Sequence, residues 1–361
     1  MRGSEDQTRL PRRRERCRQG GTSGQGMTPL RVITTGLILS GVLIGIALIS
    51  LSLGPAKISL REVLTWVAGY KSVDQTAWMI LFKIRLPRIL LAGLVGFTLS
   101  IGGVVFQALL RNPLAEPFIL GVSSGAAVGA IIGIALGLGF GLGVPLLSFM
   151  GALFTILLVM GISSRHGGLE SSTLLLTGVI VNAFFTAVIM FFITTTGDSR
   201  LHSMLFWLYG DLSQSRYAHL SIGLPVILIV SGILYVFSRH LNLIVGGEES
   251  ALQMGVEVEL LKWISFLGIS LITGMVISFS GIIGFVGLIV PHLMRMLLGP
   301  DHRLLIPASA LGGAVFLIAA DTLARIILSP SELPVGVVTA FLGAPFFIYL
   351  LKQRGSQWTQ G

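Results

Sequence analysis

From residue 32 to residue 351 the chain alternates long apolar runs with short polar breaks. About ten of the runs are long enough to cross a bilayer as helices: 32–53, 88–110, 117–138, 144–163, 172–195, 219–237, 262–280, 282–298, 304–320 and 333–351. An even number of crossings returns both ends of the chain to one side. Pro291 predicts a kink or an early end in the eighth run, because proline removes a rung of the helix ladder. The stretch HSMLFWLYGDL (202–212) is too short to cross and is aromatic, which suits a membrane interface. The pattern predicts an all-α polytopic membrane protein.

Two breaks in the pattern stand out. In NPLAEP (112–117), Pro113 and Pro117 stop the helix and free backbone groups that lipid cannot satisfy. Glu116 would also be costly in lipid. This break must therefore lie against protein or water. The run after it carries glycine at 121, 125, 129, 133 and 137, a bare stripe that lets a neighbouring helix approach closely. The second break, HLNLIVGGEESALQMGVEVELLK (240–262), is polar enough to fold outside the bilayer. Gly246 and Gly247 make a turn, Glu248 and Glu249 suit the positive end of a short helix, and Gly255 suits its stop. By itself this pattern fits either a solvated connector or a surface for a partner.

Composition sharpens the class. Of the 361 residues 53% are hydrophobic and 11% charged, where soluble domains carry about 25% charge. Mean hydropathy is +0.87. The net charge of +9 says little about partners, because Arg2, Arg9, Arg12, Arg13, Arg14, Arg16 and Arg18 crowd one polar segment. Residues 1–31 are expected to be a disordered cytoplasmic tail, with a true start at Met27 as the alternative. The remaining basic residues divide evenly between the two sides of the membrane, so charge alone does not orient the chain. Nothing points to nucleic acid. Cys17 is the single cysteine, which leaves no intrachain disulfide and no cysteine cluster for a metal.

Catalytic chemistry is sparse. A phosphate-cradling loop needs GxxxxGK[ST], and none of Lys57, Lys71, Lys83, Lys262 and Lys352 follows a glycine. The apolar runs hold almost no ionisable residue for an ion relay. Asn182 is a lone polar residue in the fifth run, suited to packing between helices more than to a ligand. No His, Asp and Ser set gathers at one depth, which argues against a membrane enzyme. A transporter of this make-up takes its energy from another chain.

Several segments resemble the permease subunit of type II ABC importers, the family that carries iron-siderophore, haem and cobalamin. They are RLPR (85–88), RNPLAEP followed by LGVSSGA (111–126), and GEESALQMGV (247–256). GIIGFVGLIVPHLMR (281–295), ADTLAR (320–325) and ELPVGVVTAFLGAPFFIYLL (332–351) complete the set. The match reaches from about residue 32 to residue 351. It implies the type II importer permease fold, a place in the cytoplasmic (inner) membrane, and both termini in the cytoplasm. It makes 32–351 the transmembrane domain, 240–262 a segment that couples to an ATPase, and 352–361 a cytoplasmic tail.

The resemblance also assigns residues. Gly247, Glu248, Glu249, Ser250 and Gly255 match coupling positions. Asn112, Pro113, Leu114, Ala115, Glu116 and Pro117 match a cytoplasmic gate, together with Ser171 and Ser172. The stretch Glu170-Ser171-Ser172-Thr173 follows the family pattern more loosely. The family's fifth and tenth spans line its pathway, where this chain has Gly178, Ala183 and Ala187. Arg85, Arg88 and Arg325 match arginines that meet glutamates of the substrate-binding protein; membrane-interface anchoring is the competing role for such long side chains. His292 beside Pro291 suits a structural role better than metal or haem ligation.

The implied assembly holds a second permease copy, as homodimer or heterodimer, with two ATP-binding subunits and a substrate-binding protein. ATP and Mg belong to the partner subunit, and no cofactor is expected on this chain. Iron-siderophore is the commonest substrate of the family; cobalamin and haem stay open. The alternative of another class is a secondary transporter or channel that works without an ATPase.

Overall fold

The computed structural model of the protein describes residues 28–56, 58–59, 62–63, 75–164 and 171–354. The basic segment 1–27 with its alternative start, Lys57, Arg61, Lys71, Glu170 and residues 355–361 lie outside the described residues. Thirteen helices carry the architecture: α1 (Pro29–Ser52), α2 (Gln75–Leu109), α3 (Val122–Ala135), α4 (Gly143–Ser163), α5 (Ser171–Thr195), α6 (Asp198–Leu208), α7 (Tyr217–Val236), α8 (Ser238–Val245), α9 (Glu248–Gln253), α10 (Val258–Ser280), α11 (Val286–Leu298), α12 (His302–Ile326) and α13 (Val335–Arg354). There is no strand among the described residues. Among the described residues seven helices are long and apolar enough to cross a membrane: α1, α2, α4, α5, α7, α10 and α12. The shorter apolar helices α3, α11 and α13 account for the other three predicted runs.

Three boundaries move for physical reasons. α2 starts well before residue 88 because a π-helical stretch, Ile80–Arg85, carries it through Lys83 and Arg85. Its 35 residues reach about 52 Å, so its first turns stand above a bilayer core of about 30 Å. α3 loses its first residues to a 3₁₀ turn at Pro117–Leu120, which Gly121 separates from the α-helix with a left-handed φ of 75°. α11 starts late, at Val286, because Gly281 to Phe285 form a non-helical bend. Pro291 sits inside α11, so of the two expected outcomes the early end does not occur.

α2 is the axis of the bundle. In its apolar window 83% of residues are buried, against 72% in α12, 67% in α10 and 0% in α1. α2 packs on α12, α11, α10 and α7, while α3 packs on α4. Lipid removes the hydrophobic drive between helices, so close van der Waals contact must hold them. A Cβ on Gly103 of α2 would lie 1.8 Å from the Gly287 carbonyl oxygen of α11. One on Gly129 of α3 would lie 2.0 Å from the Leu147 carbonyl oxygen of α4. The glycine stripe is thus a packing surface.

α5 and α13 lie at the margin and turn large apolar side chains outward, among them Ile180, Phe184, Phe341 and Ile348. Asn182 is exposed on α5, so it does not glue helices within this chain.

Candidate functional site

Most of the candidate residues fall at the two ends of α2. The lower end carries the break after Leu109 and the helices α8 and α9. The upper end carries Arg85, Arg88 and Arg325.

At the lower end the chain leaves α2 through Arg111, whose φ of 47° is left-handed. The Asn112 side-chain oxygen accepts the Leu114 N–H at 2.9 Å, and the Asn112 carbonyl accepts the Ala115 N–H at 3.0 Å. Pro113 follows in the same turn. Ala115 and Pro117 are buried, while Leu114 is exposed. The turn meets α5 at Gly178, where a Cβ would lie 2.4 Å from the Ile119 carbonyl oxygen. Gly178 is therefore closed off by this chain, while Ala183 and Ala187 remain exposed. Ser171 opens α5, and Ser172 is exposed beside it.

Glu116 ties the break to the other irregular point in the bundle. Its carboxyl lies near the backbone N–H of Phe285, which favours its charged form. Phe285 has φ 69°, a left-handed conformation that costs a bulky residue energy and marks a position held by its surroundings. Its ring fills the space over Gly343 of α13, where a Cβ would lie 2.4 Å from Phe285 Cγ. Break, bend and α13 are thus mechanically linked.

Burial pushes the Glu116 carboxyl up from 4.5 to about 7, and the Phe285 N–H offsets part of the rise. Between these values the folded chain holds a proton that the unfolded chain releases. Stability from this group is therefore full below pH 4.5 and is lost as pH rises through about 7. Between about pH 5 and about pH 7.5, the melting temperature of the detergent-solubilised wild type should fall more than that of Glu116→Gln. Equal slopes would show that Glu116 is not the group responsible.

α9 is held by its first residue. Glu248 Oε2 accepts from Lys262 Nζ at 2.7 Å, and its other oxygen lies 4.0 Å from Arg111 Nη2. Lys262 is 3% exposed, so this contact neutralises a buried ammonium. One glutamate thereby joins α9, the start of α10 and the end of α2. Gly247 before α9 and Gly255 after it take φ 130° and 83°, which a side chain would resist. α8 is fixed to the α11–α12 corner: Asn242 donates to Asp301 at 3.0 Å and accepts the His302 N–H at 2.9 Å. The Arg303 guanidinium holds the Asp301 carboxyl well below the usual carboxylate range.

With Glu248 tethered inward, the outward surface of α9 and its following turn is Glu249, Ser250, Leu252, Gln253, Met254 and Gly255. Leu252 and Met254 are 57% and 58% exposed. Both were missing from the sequence assignment. The available signal was two large apolar residues within the otherwise polar GGEESALQMG (246–255).

At the upper end the structure gathers the three predicted arginines and turns them inward. Arg85, Arg88 and Arg325 are 4%, 5% and 3% exposed. Asp321 lies between two of them: Arg88 Nη2 is 3.0 Å from Oδ1, and Arg325 Nε is 3.1 Å from Oδ2. Glu332 takes the far side of Arg88 at 2.6 Å. Arg85 donates to the carbonyls of Leu51, Ser52 and Ala56, and Arg325 to those of Ser50 and Leu53. The last carbonyls of a helix have no partner within it, and cations satisfy them well. Arg85 and Arg325 brace the end of α1, while Arg88, also expected to face a partner, ties α2 to Asp321 of α12 and to Glu332. Beside them, a hollow of about 470 Å³ is lined by His202, Asp211, Gln214 and Glu332.

This arrangement has close relatives. Residues 41–353 match the FecCD transport family. The chain belongs to the FecCD transport family. It is a multi-pass permease of the type II ABC importer class. The permease is 43% identical over 282 residues to the permease protein of a cobalamin import system from Halobacterium salinarum, covering 78% of this chain and 76% of that protein. It is 37% identical to a hemin transport permease from Yersinia pestis, covering 86% and 95%. It is 36% identical to an Fe(3+) dicitrate transport permease from Escherichia coli, covering 87% and 97%. A solved structure described as an inward-facing conformation of an ABC transporter of metal-chelate type matches with TM-score 0.77 and 33% identity, covering 89% of the permease and 99% of that chain.

Proposed function

We propose that the permease forms the membrane passage of an ATP-driven importer and carries an iron-siderophore chelate across the cytoplasmic membrane. The observation that carries this is family membership over 41–353. Related permeases are named for cobalamin, hemin and Fe(3+) dicitrate, whose shared chemistry is a metal chelate. The lower end faces the cytoplasm, with both termini on that side. There α9 seats an ATP-binding subunit through Glu249, Ser250, Leu252 and Met254. That subunit binds ATP and Mg, and the permease needs no cofactor of its own.

Two permease copies pair across the exposed faces of α5 and α13, and the passage runs between them. An open hollow of about 510 Å³ beside α13, lined by Tyr209, Ile282, Phe341 and Pro345, supports this. Ala183 and Ala187 give the passage a weakly polar wall. The 112–117 turn, with Ser171 and Ser172, closes it from below, and Glu116 transmits movement of Phe285 and α13 to the turn. A substrate-binding protein docks on the upper end. Arg85, Arg88 and Arg325 keep that surface in shape by holding α1, α2 and α12 together.

Cobalamin is the second substrate, on the 43% identity to a cobalamin permease. The test is uptake into proteoliposomes that hold the permease, its ATP-binding subunit and its binding protein. Ferric siderophore should accumulate with ATP. Accumulation of cobalamin or haem in its place would overturn the substrate assignment.

A further inference from the structure

The upper end carries a second feature, away from the arginine cluster, on the flank where α2 meets α7. A cavity of about 520 Å³ opens there. Trp78 and Phe82 stack with ring centroids 5.7 Å apart on one side of it. The Tyr217 hydroxyl donates to the Phe82 carbonyl at 2.6 Å, which pins the start of α7 to the π-helical stretch of α2. Lys83 and Arg216 complete the rim, and both are exposed. Neither forms an ion pair with a described acid. Two cations on an aromatic cup ask for an anion.

The same two helices continue downward into an apolar groove of about 470 Å³. Leu90 and Phe97 of α2 and Leu220, Leu224 and Leu228 of α7 line it, with α1 and α12 on the far side. Depth follows from helix rise. Counting about 30 Å up from Leu109 reaches Ile89, so Leu90 lies at the upper edge of the hydrocarbon. Lys83 is then about 10 Å higher, at headgroup level. Leu224 lies about 12 Å below Arg216 along α7. A charged head and an apolar tail at this spacing are the two parts of one lipid, and tryptophan and tyrosine at the junction are the usual interfacial anchors.

We propose that this flank holds one anionic phospholipid, its phosphate between Lys83 and Arg216 and an acyl chain in the groove between α2 and α7. The external leaflet is its source, a point that rests on the orientation given above; binding itself does not. A lipid there would seal the junction that Tyr217 pins with its hydrogen bond to Phe82, and so stiffen the α2–α7 contact.

The test uses the purified full chain alone, so it is independent of the importer assignment. Native mass spectrometry measures retention of added phosphatidylglycerol and phosphatidylethanolamine, with glycerol phosphate as a headgroup without chains. One phosphatidylglycerol per chain should be retained about tenfold more strongly than phosphatidylethanolamine. Lys83→Gln with Arg216→Gln should erase that preference. Leu224→Trp, which fills the groove and touches no charge, should weaken both lipids. Lys352→Gln, at the other end, should change nothing. Equal retention of the two lipids by wild type would overturn the proposal, as would variants that behave like wild type. Competition by glycerol phosphate at equal concentration would overturn it too, by showing a soluble-phosphate site.

Discussion

Asp321→Ala is expected to cost the permease about 3–5 kcal/mol of stability, the largest effect of any single substitution outside the glycine contacts. Asp321 is 1% exposed and is shared by Arg88 and Arg325. Removing it leaves two nearly buried guanidinium groups repelling each other, with Glu332 reaching only Arg88. Arg325 would keep its bonds to the carbonyls of α1, but these do not cancel its charge. The melting temperature in detergent should fall by on the order of 5 °C or more. Asp321→Asn, which keeps the shape and loses the charge, should fall between wild type and Asp321→Ala. An unchanged melting temperature for Asp321→Ala would mean the cluster does not brace this end.

The second large effect is functional and leaves the fold intact. Leu252→Asp with Met254→Asp places two charges where the ATP-binding subunit is proposed to seat. Both side chains are more than half exposed, so the isolated permease should melt within about 0.5 kcal/mol of wild type. Apolar anchors at an interface centre are worth about 2 kcal/mol each, so affinity for the ATP-binding subunit should fall by roughly 100-fold or more. Glu248→Lys is a different experiment, because it sets a lysine against the buried Lys262. It should weaken both the fold and the association. Normal co-purification of the Leu252 and Met254 double variant would show that α9 is a connector only.

Much of this was legible in the chain because lipid is a demanding solvent. Ten crossings follow from apolar runs, and the NPLAEP break follows from two prolines. The glycine spacing of α3 announced its contact with α4. The turn residues Gly247 and Gly255 correctly bracketed α9. What stayed hidden depends on which way a side chain turns. Arg85, Arg88 and Arg325 sit at helix ends, where snorkelling, docking and capping all want the same residue type. Only the fold shows that the ends of α1 and α12 lie close enough to claim them. Asn182 and Gly178 share one helix, and the sequence does not say which faces outward. The early start of α2 was masked by Lys83 and Arg85, which interrupt the apolar count without breaking the helix. The link from Glu116 to Phe285 joins residues far apart in sequence, and no local pattern foretells it.

The most direct test of the account is accumulation of substrate in sealed proteoliposomes, measured with and without the ATP-binding subunit. Vesicles holding the permease, the ATP-binding subunit and external binding protein should accumulate chelate only while internal ATP is hydrolysed. Vesicles holding the permease and binding protein alone should accumulate none, under a proton or sodium gradient as well. Accumulation at full rate without the ATP-binding subunit would contradict the account and make the chain a transporter in its own right.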